Sequence, residues 1–430
     1  MMQQTKFKET EIGMIPEDWE VVKQEEIARF INGRAYSYNE FKDKGTPIVR
    51  IQNLTHKGNQ VYSDLILPEE KYIENGDLIF AWSAVFSPYI WRGEKSIYHY
   101  HIWKIVCNME RLDKRFFYYK LKYISDKIAN TGTGSIFTHI TKEIMENYKI
   151  SLPSLSEQSA IAKILSDLDS KIELNQQMNK TLEAIGLAIF KQWFVDFEFP
   201  NENGKPYKSS GGEMVDSELG EMPKRWKVGK LGDFVNLIKG VSYKSEELKD
   251  SDKALVTLKS INRGGGLNKN GFKEFIGKYK KEQEIIDGDI VVAHTDITQK
   301  AEVLGKPAIV RMIKEYNTLI ASLDLSIVRP KDNTTNKPYL YYLLKSENFQ
   351  NHAFGYANGT TVLHLSSRAI PEYLFAVPDK KLILTFGESI EKLLDKKKKS
   401  EAETENLILI RDSLIPKLMS GKIIIPVEVG

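Results

Sequence analysis

The chain has 430 residues, of which 41% are hydrophobic and 28% charged, and its net charge is +3. This length fits two to four domains, and this composition is typical of globular proteins. No apolar run reaches the roughly 18 residues of a membrane-spanning helix, and no signal peptide stands at the start, so we expect a cytoplasmic protein. The single cysteine, Cys107, excludes an internal disulfide and a cysteine metal cluster. The total charge neither supports nor excludes DNA binding.

Two stretches of the chain repeat one pattern. Residues 15–36 read IPEDWEVVKQEEIARFINGRAY, and residues 222–243 read MPKRWKVGKLGDFVNLIKGVSY. Both keep Pro-x-x-Trp-x-Val-x-Lys and a final Gly-x-x-Tyr, and matching residues are 207 apart (223 − 16 = 207). Further on, FTHITKEIMENYKISLP matches VLHLSSRAIPEYLFAVP at a separation of 225 residues (378 − 153 = 225). A repeat this long exceeds the roughly 20–50 residues of a solenoid unit, so we infer a duplicated domain.

The first part of each copy alternates predicted strands with short helices. Strands are predicted at residues 46–54 and 254–261 from their β-branched alternation. A Gly-Asp turn followed by an apolar strand occurs at residues 76–82 and again at 288–294. Further strands are predicted at YHYHIWKIV and LDLSIVRP, and short helices at RFFYYKLKYI and KPYLYYLLKS. This order predicts an α+β domain with mixed, curved sheets.

Polar loops between these strands hold the candidate DNA-binding residues. Arg, Lys, Asn and Gln can read base edges, while Ser, Thr and glycine-loop amides suit phosphates. The alternative, ordinary solvated loops, stays open for each residue. The candidates are Arg34, Tyr36, Tyr38, Gln52, Asn53, His56, Lys57, Thr133, Ser135, Asn262, Arg263, Asn268, Lys269, Thr295, Thr298, Gln299, Lys300, Asn358 and Thr360.

The second part of each copy changes to a helical period. Apolar residues at heptad-like spacing predict one long helix within residues 153–199 and a second within residues 379–422. One helix cannot bury such a stripe alone, so we expect the two to pack as an antiparallel coiled coil. The candidate positions of the coiled coil are Ile161, Leu165, Leu168, Leu182, Ile390, Leu393, Leu407 and Leu414. Residues 200–222, rich in Gly, Ser and Asn, are predicted to be a flexible linker.

Both helical stripes turn polar at the same place. Asn175 and Asn179 stand there in the first helix, and Ser400 and Thr404 in the second. In an antiparallel pair these positions meet, where buried polar groups can fix the register. Alternatively, they face solvent where the helices splay, and the sequence favours neither reading.

The sequence lacks the common catalytic motifs. It has no Walker loop, no H-E-x-x-H, no G-x-S-x-G, no kinase set and no Asn/Asp-Pro-Pro-Tyr/Phe tetrapeptide of an amino-methyltransferase. His99 and His101 alternate on a predicted strand and could bind a metal. Without an acidic or cysteine partner nearby, a structural role is favoured for both. We therefore predict neither catalytic residues nor a metal site.

These features together resemble the specificity (S) subunit of type I restriction-modification systems, the HsdS family. The resemblance rests on the two openings EIGMIPEDW and ELGEMPKRW, the Gly-x-x-Tyr, the Gly-Asp strand, and the glycine turn before ITKEIM. It also rests on the Leu-Pro before SEQSAIAKILSDLDSKIELNQQMNKTLEAIGLAIFKQWFVDF, and on LIPKLMSGKI near the end. The match covers essentially the whole chain, and the order and duplication of the motifs make it specific.

The resemblance implies two duplicated target recognition domains with mixed sheets, separated by two long antiparallel helices and related by an internal pseudo-twofold. The implied segments are recognition domain 1 at 1–152, the central helix at 153–199, a linker at 200–222, recognition domain 2 at 215–378 and the C-terminal helix at 379–422.

The family also implies a function without catalysis in this chain. Each recognition domain would read one half of a bipartite, asymmetric site in double-stranded DNA. The helices would set the spacing and dock two methyltransferase (M) subunits, with restriction/translocase (R) subunits joining for cleavage. S-adenosylmethionine and ATP with Mg are expected on those partners, and no cofactor in this chain. One alternative is a scaffold protein that binds no DNA, and a neighbouring adenine methyltransferase gene would argue against it. The other is a self-contained nuclease, for which the pure chain must cleave DNA with a divalent metal.

Overall fold

The computed structural model describes residues 6–55, 58–130, 141–298, 300–332 and 335–425. The first half of the chain forms the strands β1 (Phe7–Thr10), β2 (Gly13–Pro16), β3 (Glu20–Lys23), β4 (Ala28–Asn32), β5 (Thr46–Val49), β6 (Val61–Ser63), β7 (Tyr72–Ile73), β8 (Leu78–Ala81), β9 (Ser87–Ile90), β10 (Ser96–Tyr98), β11 (Ile102–Cys107) and β12 (Lys149–Leu152). Its helices are α1 (Ile51–Leu54), α2 (Lys114–Asn130), α3 (Lys142–Asn147) and the long α4 (Leu155–Phe194).

The second half repeats this order with small additions. Its strands are β13 (Met214–Val215), β14 (Met222–Pro223), β15 (Lys227–Lys230), β16 (Val235–Lys239), β17 (Lys253–Val256), β18 (Lys273–Glu274), β19 (Glu284–Ile285), β20 (Ile290–Ala293), β21 (Thr295–Asp296), β22 (Pro307–Ile309), β23 (Thr318–Ala321), β24 (Leu325–Pro330), β25 (Ala357–Asn358), β26 (Leu363–Leu365) and β27 (Leu374–Val377). Its helices are α5 (Lys337–Lys345), α6 (Glu347–Gly355) and the long α7 (Lys380–Met419). Both long helices begin and end a few residues inside the predicted segments 153–199 and 379–422.

The chain divides into two compact units. Unit 1 comprises residues 1–176 and 402–430, and unit 2 comprises residues 177–401. Each long helix therefore contributes one part to each unit. Unit 1 holds the first recognition-type domain with the start of α4 and the end of α7, and unit 2 holds the second with the end of α4 and the start of α7.

The main sheets of the two units have the same strand order. Unit 1 contains the four-stranded sheets β6-β5-β10-β7 and β4-β11-β8-β9, and unit 2 contains β18-β17-β23-β19 and β16-β24-β20-β22. In each unit one parallel pair, β5 with β10 or β17 with β23, lies inside an otherwise antiparallel sheet. The predicted α+β class with mixed sheets and a duplication is confirmed.

The tryptophan of Pro-x-x-Trp is buried in both units, each time against the end of a long helix. In unit 1, Trp19 is fully buried, and its indole Nε1 donates to Oε2 of Glu157 at 3.0 Å. Gly421, just after α7, packs so closely on Pro16 that a side chain there would overlap the proline ring. In unit 2, the Trp226 ring lies 6.1 Å from that of Phe194 near the end of α4. The repeated opening is therefore a structural motif that joins each domain to a helix end.

Side-chain pairs within each unit show that α4 and α7 run antiparallel, as predicted. In unit 1, Arg411 donates to Asp169 at 2.7 Å and Asn175 donates to Glu403 at 2.8 Å, so α7 runs backward as α4 advances. The apolar ends of the helices also pack into the domain cores, with Ile161 in the core of unit 1 and Ile390 in that of unit 2. Among the coiled-coil candidates, Ile161, Leu165, Leu182 and Ile390 are buried, and Leu168, Leu393, Leu407 and Leu414 are half-buried.

Two further observations refine the helix predictions. The polar positions at the middle of the stripe are enclosed, because Asn175, Ser400 and Thr404 are buried and Asn179 is half-buried. Apolar residues of the helices also lie outside the seam, because the repeat-related positions Ile185 and Ile410 (185 + 225 = 410) are exposed at 42% and 47%. The two isoleucines lie on the outer side of their helices instead of in the seam.

The segment 200–222, predicted to be flexible, has local structure of its own. Strand β13 pairs with β14 within it. The ring of Phe199 stacks on Tyr207 at 4.6 Å and on Trp226 at 5.3 Å. The prediction from composition missed this aromatic stack, because Tyr207 is a single ring within the Gly- and Ser-rich run and its partners Phe199 and Trp226 lie outside the run.

Candidate nucleic-acid interface

Each unit contains a Gly-Asp turn before a buried strand, and the aspartate is structural in both. In unit 2, Asp289 is fully buried and pairs with Arg329 at 2.6 Å and Lys337 at 3.0 Å. In unit 1, Asp77 pairs with Lys104 at 2.9 Å. The two basic partners on the strands stand at different repeat positions, because the strand registers match Lys104 with Ile327 (104 + 223 = 327) and not with Arg329. This motif fixes the sheet, with one cation holding Asp77 and two cations holding Asp289.

The glycine of the repeated Gly-x-x-Tyr packs on a turn of three residues. These turns are His99–His101, called here the unit 1 turn, and Ser322–Asp324, called the unit 2 turn. A Cβ on Gly33 would overlap the carbonyl oxygen of His99, and a Cβ on Gly240 would overlap that of Ser322. Only glycine permits this approach, so the same backbone frame holds a turn in both units.

The unit 1 turn is surrounded by aromatic rings. The ring of Tyr36 stacks on His99 with centroids 6.4 Å apart, and the ring of Trp82 meets His101 at 5.2 Å. The Nε1 atom of Trp82 donates to the backbone oxygen of Tyr100 at 2.9 Å. The side chain of Tyr100, at the centre of the turn, is exposed at 39%. The turn thus presents one aromatic side chain between two imidazoles.

The charged groups beside the unit 1 turn are fixed. Arg34 donates to Glu40 at 2.6 Å, and this bond holds the pKa of the Glu40 carboxyl at about 2. The same guanidinium lies 5.1 Å from the centroid of the Tyr36 ring. Burial, followed by nearby positive charge including that of Arg50, lowers the pKa of His99 to about 4. His99 is therefore neutral at neutral pH and can both donate and accept hydrogen bonds.

The unit 2 turn has different chemistry in the same frame. Its Asp324 accepts at Oδ1 from the hydroxyl of Thr295 at 2.9 Å, and its backbone oxygen accepts from the His294 amide at 2.7 Å. Leu323 takes the central place of Tyr100 and is exposed at 42%. Strand β21, which contains Thr295, pairs with β26 opposite His364. A carboxylate thus stands where unit 1 has an imidazole.

A glycine turn extends this edge of unit 2. Strands β25 and β26 form a hairpin in which Asn358 pairs with His364. Asn358 and Thr360 are exposed on either side of Gly359, whose φ of +107° requires glycine. The predicted candidates Thr295, Asn358 and Thr360 therefore lie on one three-stranded sheet and its turn.

The other candidates of unit 2 lie on two loops that contact each other. Arg263 pairs with Glu302 at 3.1 Å, and the hydroxyl of Thr298 accepts from the amide of Glu302 at 3.0 Å. Asn262 and Asn268 donate to backbone oxygens of their own loop. Lys300 is exposed and Lys269 is half-buried. The two asparagines thus hold the loop, while the basic residues remain at its surface.

In unit 1, the candidates after β5 form a short helical turn. Asn53 accepts from the Arg50 amide at 3.0 Å and donates to the Asn59 backbone at 3.3 Å, which makes it a loop-stabilising residue. Gln52 is exposed. Tyr38 is 91% exposed, with its ring edge-on to Phe41 at 6.2 Å. The candidates outside the described residues are His56, Lys57, Thr133, Ser135 and Gln299.

The described residues have neither a cluster suited to a metal ion nor a helix suited to a membrane. They contain no group of three or more His, Cys, Asp or Glu side chains placed to hold a metal ion, and His99 and His101 belong to the aromatic cluster instead. None of the helices in the described part of the chain has the length and apolarity that crossing a membrane requires.

The chain matches a known protein family in two regions. The sequence pattern of the type I restriction modification DNA specificity domain matches residues 16–184 and again residues 223–405. The chain belongs to this family. The two matches coincide with the two copies of the repeat, and together they cover most of the chain.

Curated members of the family match over nearly the full length. The MjaIX specificity subunit of a type I restriction enzyme from Methanocaldococcus jannaschii is 25% identical, over 98% of this chain and 97% of that protein. The MjaVIII specificity subunit of the same organism is 27% identical, over 97% and 96%. The crystal structure of a type I restriction-modification S subunit from M. genitalium shares the fold, with a TM-score of 0.55 at 16% identity, over 97% of this chain and 99% of that one.

The residues of the unit 1 turn and the unit 2 turn, and Trp82 beside the unit 1 turn, were absent from the DNA-binding candidates chosen from the sequence. Trp82, His99, Tyr100, His101 and Asp324 were assigned to strands or weighed only as metal ligands. Their position became visible through the repeated glycines, which pack on the turns. A signal was present in the sequence, because an invariant Gly at the same place in both copies indicates close backbone approach.

Proposed function

We propose that the chain is the sequence-specific DNA-binding specificity subunit of a type I restriction-modification complex. Each unit reads one half of a bipartite, asymmetric site in double-stranded DNA. The observation that carries this proposal is the pair of turns, which occupy one backbone frame but consist of His, Tyr and His in unit 1 and of a buried Ser followed by Leu and Asp in unit 2. Two turns with the same backbone but different side chains are suited to read two half-sites of different sequence.

The proposal assigns no catalysis to this chain. Its charged clusters are structural pairs, such as Asp289 with Arg329 and Glu183 with Lys397. Methyl transfer and DNA cleavage belong to two methyltransferase (M) subunits and to restriction/translocase (R) subunits. S-adenosylmethionine and ATP with Mg would bind to those partners, and the complex would act in the cytoplasm.

The long helices are proposed to set the half-site spacing and to dock the M subunits. Exposed apolar side chains support docking, because Ile185 and Ile410 recur at the same repeat position on the outer side of α4 and α7. Two copies of one partner require two equivalent surfaces, and the repeat supplies them.

A domain exchange tests the half-site proposal. Residues 1–152 are replaced by the corresponding segment of a related subunit, and the complex with its M subunit is expressed in a host without other methylation. Long-read sequencing then gives the methylated motif. We expect one half of the motif to change and the other half to remain.

The matched control exchanges residues 215–378, which should change the opposite half. An unchanged motif in both exchanges would contradict the proposal. DNA cleavage by the pure chain with a divalent metal would favour the nuclease reading instead.

A further inference from the structure

We infer that the unit 1 turn and the unit 2 turn are the elements that read bases, with Asp324 accepting from an exocyclic amino group of cytosine or adenine in the major groove. This inference rests on the proposed function and deepens it by naming specificity-determining residues. Four independent features of the turns support it.

The first feature is the constant frame. Gly33 and Gly240 pack on the turns, and a backbone hydrogen bond joins each following residue to the strand before the turn: Arg34 to Tyr98 at 3.1 Å, and Val241 to Ala321 at 2.8 Å. The backbone is therefore fixed equally in both units. Differences in recognition must come from the side chains that the frame presents.

The second feature is the exposed apolar residue at the centre of each turn. Tyr100 and Leu323 occupy the same repeat position and are exposed at 39% and 42%. In both units, the central residue of the turn is thus apolar and exposed to solvent. Such a side chain is suited to contact a thymine methyl group or a sugar.

The third feature is a set of buried polar atoms beside the turns. Four of them have no hydrogen-bond partner within the described residues: Nη1 of Arg34, Oη of Tyr36, Nε2 of His294 and Oγ of Ser322. Buried polar groups without partners are rare in native proteins and require an explanation. Neighbouring groups cover these atoms, so DNA pairs with them only when the side chains beside the turns move on binding.

The fourth feature is the placement of Asp324. The hydroxyl of Thr295 holds Oδ1 at 2.9 Å, and this bond orients the carboxylate at the exposed end of the turn. A carboxylate close to DNA is repelled by phosphates unless it accepts a hydrogen bond from a base. In the major groove the amino groups of cytosine and adenine are the donors, and Asp pairs with such a group. Acceptance at Oδ2 therefore gives unit 2 a base preference that the imidazole of His101 does not share.

The test uses the complex of the full chain with its M subunit, and its readout is the methylated motif. The variants are Asp324→Ala in unit 2 and His101→Ala in unit 1, with Asp250→Asn as control. Asp250 is an exposed carboxylate before the start of β17, whereas the other end of that strand bonds to the unit 2 turn through Val256 and Ser322 at 2.9 Å. The control thus removes one negative charge, as Asp324→Ala does, but at the end of β17 that lies away from the unit 2 turn.

We expect Asp324→Ala to relax one position of the second half-site, where the wild type requires cytosine or adenine on one strand. The discrimination there should fall about 5- to 150-fold, as for loss of one base contact. His101→Ala should relax only the first half-site, and Asp250→Asn should leave the motif unchanged. The combined substitutions Leu323→Tyr and Asp324→His, which leave the buried Ser322 in place, should alter the second half-site alone.

The outcomes separate the two proposals. If the wild-type complex methylates no bipartite motif, the proposed function fails. If it does, and both single variants copurify with the M subunit but leave the motif unchanged, the assignment of the turns is wrong while the function stands. Equal relaxation of both halves by Asp324→Ala would also refute the assignment, because it would indicate a global loss of structure.

Discussion

A buried carboxylate joins the two long helices to the domain of unit 2. Glu183 of α4 accepts from Tyr341 at 2.7 Å, from Lys345 at 2.8 Å and from Lys397 of α7 at 2.6 Å. The Glu183 side chain is only 15% exposed. Burial alone would raise its pKa, but the two ammonium groups outweigh burial and lower the pKa to about 2. The repeat-related positions of unit 1 hold Ile408 (183 + 225 = 408) and Ile172 (397 − 225 = 172) instead.

This arrangement predicts a strong coupling between Glu183 and Lys397. Glu183→Ile removes the carboxylate and leaves two enclosed cations, so we expect it to destabilise unit 2 by about 3 kcal/mol. Lys397→Ile leaves Glu183 bonded to Lys345 and Tyr341, and should cost about 1–2 kcal/mol. The double variant recreates the isoleucine pair of unit 1. Because it still leaves Lys345 without the carboxylate, it should be destabilised by about 1–2 kcal/mol, less than Glu183→Ile alone.

The assay is equilibrium urea unfolding at pH 7, combined with amide exchange in α5 to report on unit 2. The coupling energy of the cycle should be at least about 2 kcal/mol, well above the error of additivity. The pH dependence follows from the same pair. The Glu183 contribution is present above pH 4.5 and is lost as pH falls toward about 2. The reasoning is refuted if the double variant is as unstable as the sum of the single variants.

Two further predictions concern unit 1. Gly33→Ala should displace the unit 1 turn, since its Cβ would overlap the His99 carbonyl oxygen; faster amide exchange at the turn and relaxed methylation of the first half-site alone would show this. Lys120 is buried, donates to the Met419 oxygen at 2.6 Å, and burial lowers its pKa to about 7. In the unfolded chain Lys120 keeps its proton up to about pH 10.5, so the folded wild type becomes more stable as pH rises from 7 to 9. In urea unfolding, its free energy of unfolding should rise by about 2 kcal/mol over this range relative to that of Lys120→Leu. Parallel curves of stability against pH would show that Lys120 does not titrate in this range.

The parts of the fold that local patterns determine could be predicted from the sequence. The duplication followed from matching residues at fixed offsets, and the long helices followed from their apolar period. The Gly-Asp turn was also recognised, but the buried partners of Asp289 were not. Arg329 and Lys337 lie 40 and 48 residues further along the chain, and no local pattern identifies a partner at that distance.

The side chains that the loops present could be predicted less well, for a physical reason. Residue type suggested that loop Asn and Arg side chains face DNA, yet Asn268 holds its own loop and Arg263 pairs with Glu302. Residue type also argued against Leu323, which the frame leaves exposed beside Asp324. Which side chain a loop presents depends on long-range backbone packing, and here only the repeated glycine carried a trace of that packing in the sequence.

The chemistry that differs between the units also selects how the long helices pair. A duplicated chain has two helices with nearly the same stripe, so α4 could in principle pair with α4 of a second copy. By the repeat relation, Glu183 would then face Ile172 instead of Lys397, so the carboxylate would keep Lys345 and Tyr341 but lose its cation on the partner helix. Pairing of α7 with α7 would likewise set Lys397 against Ile408. Each such loss costs about 1–2 kcal/mol, as for Lys397→Ile, whereas the α4–α7 pair satisfies both groups. The ion pair between Glu183 and Lys397 thus favours assembly within one chain, and this selection requires the two copies to differ at these positions.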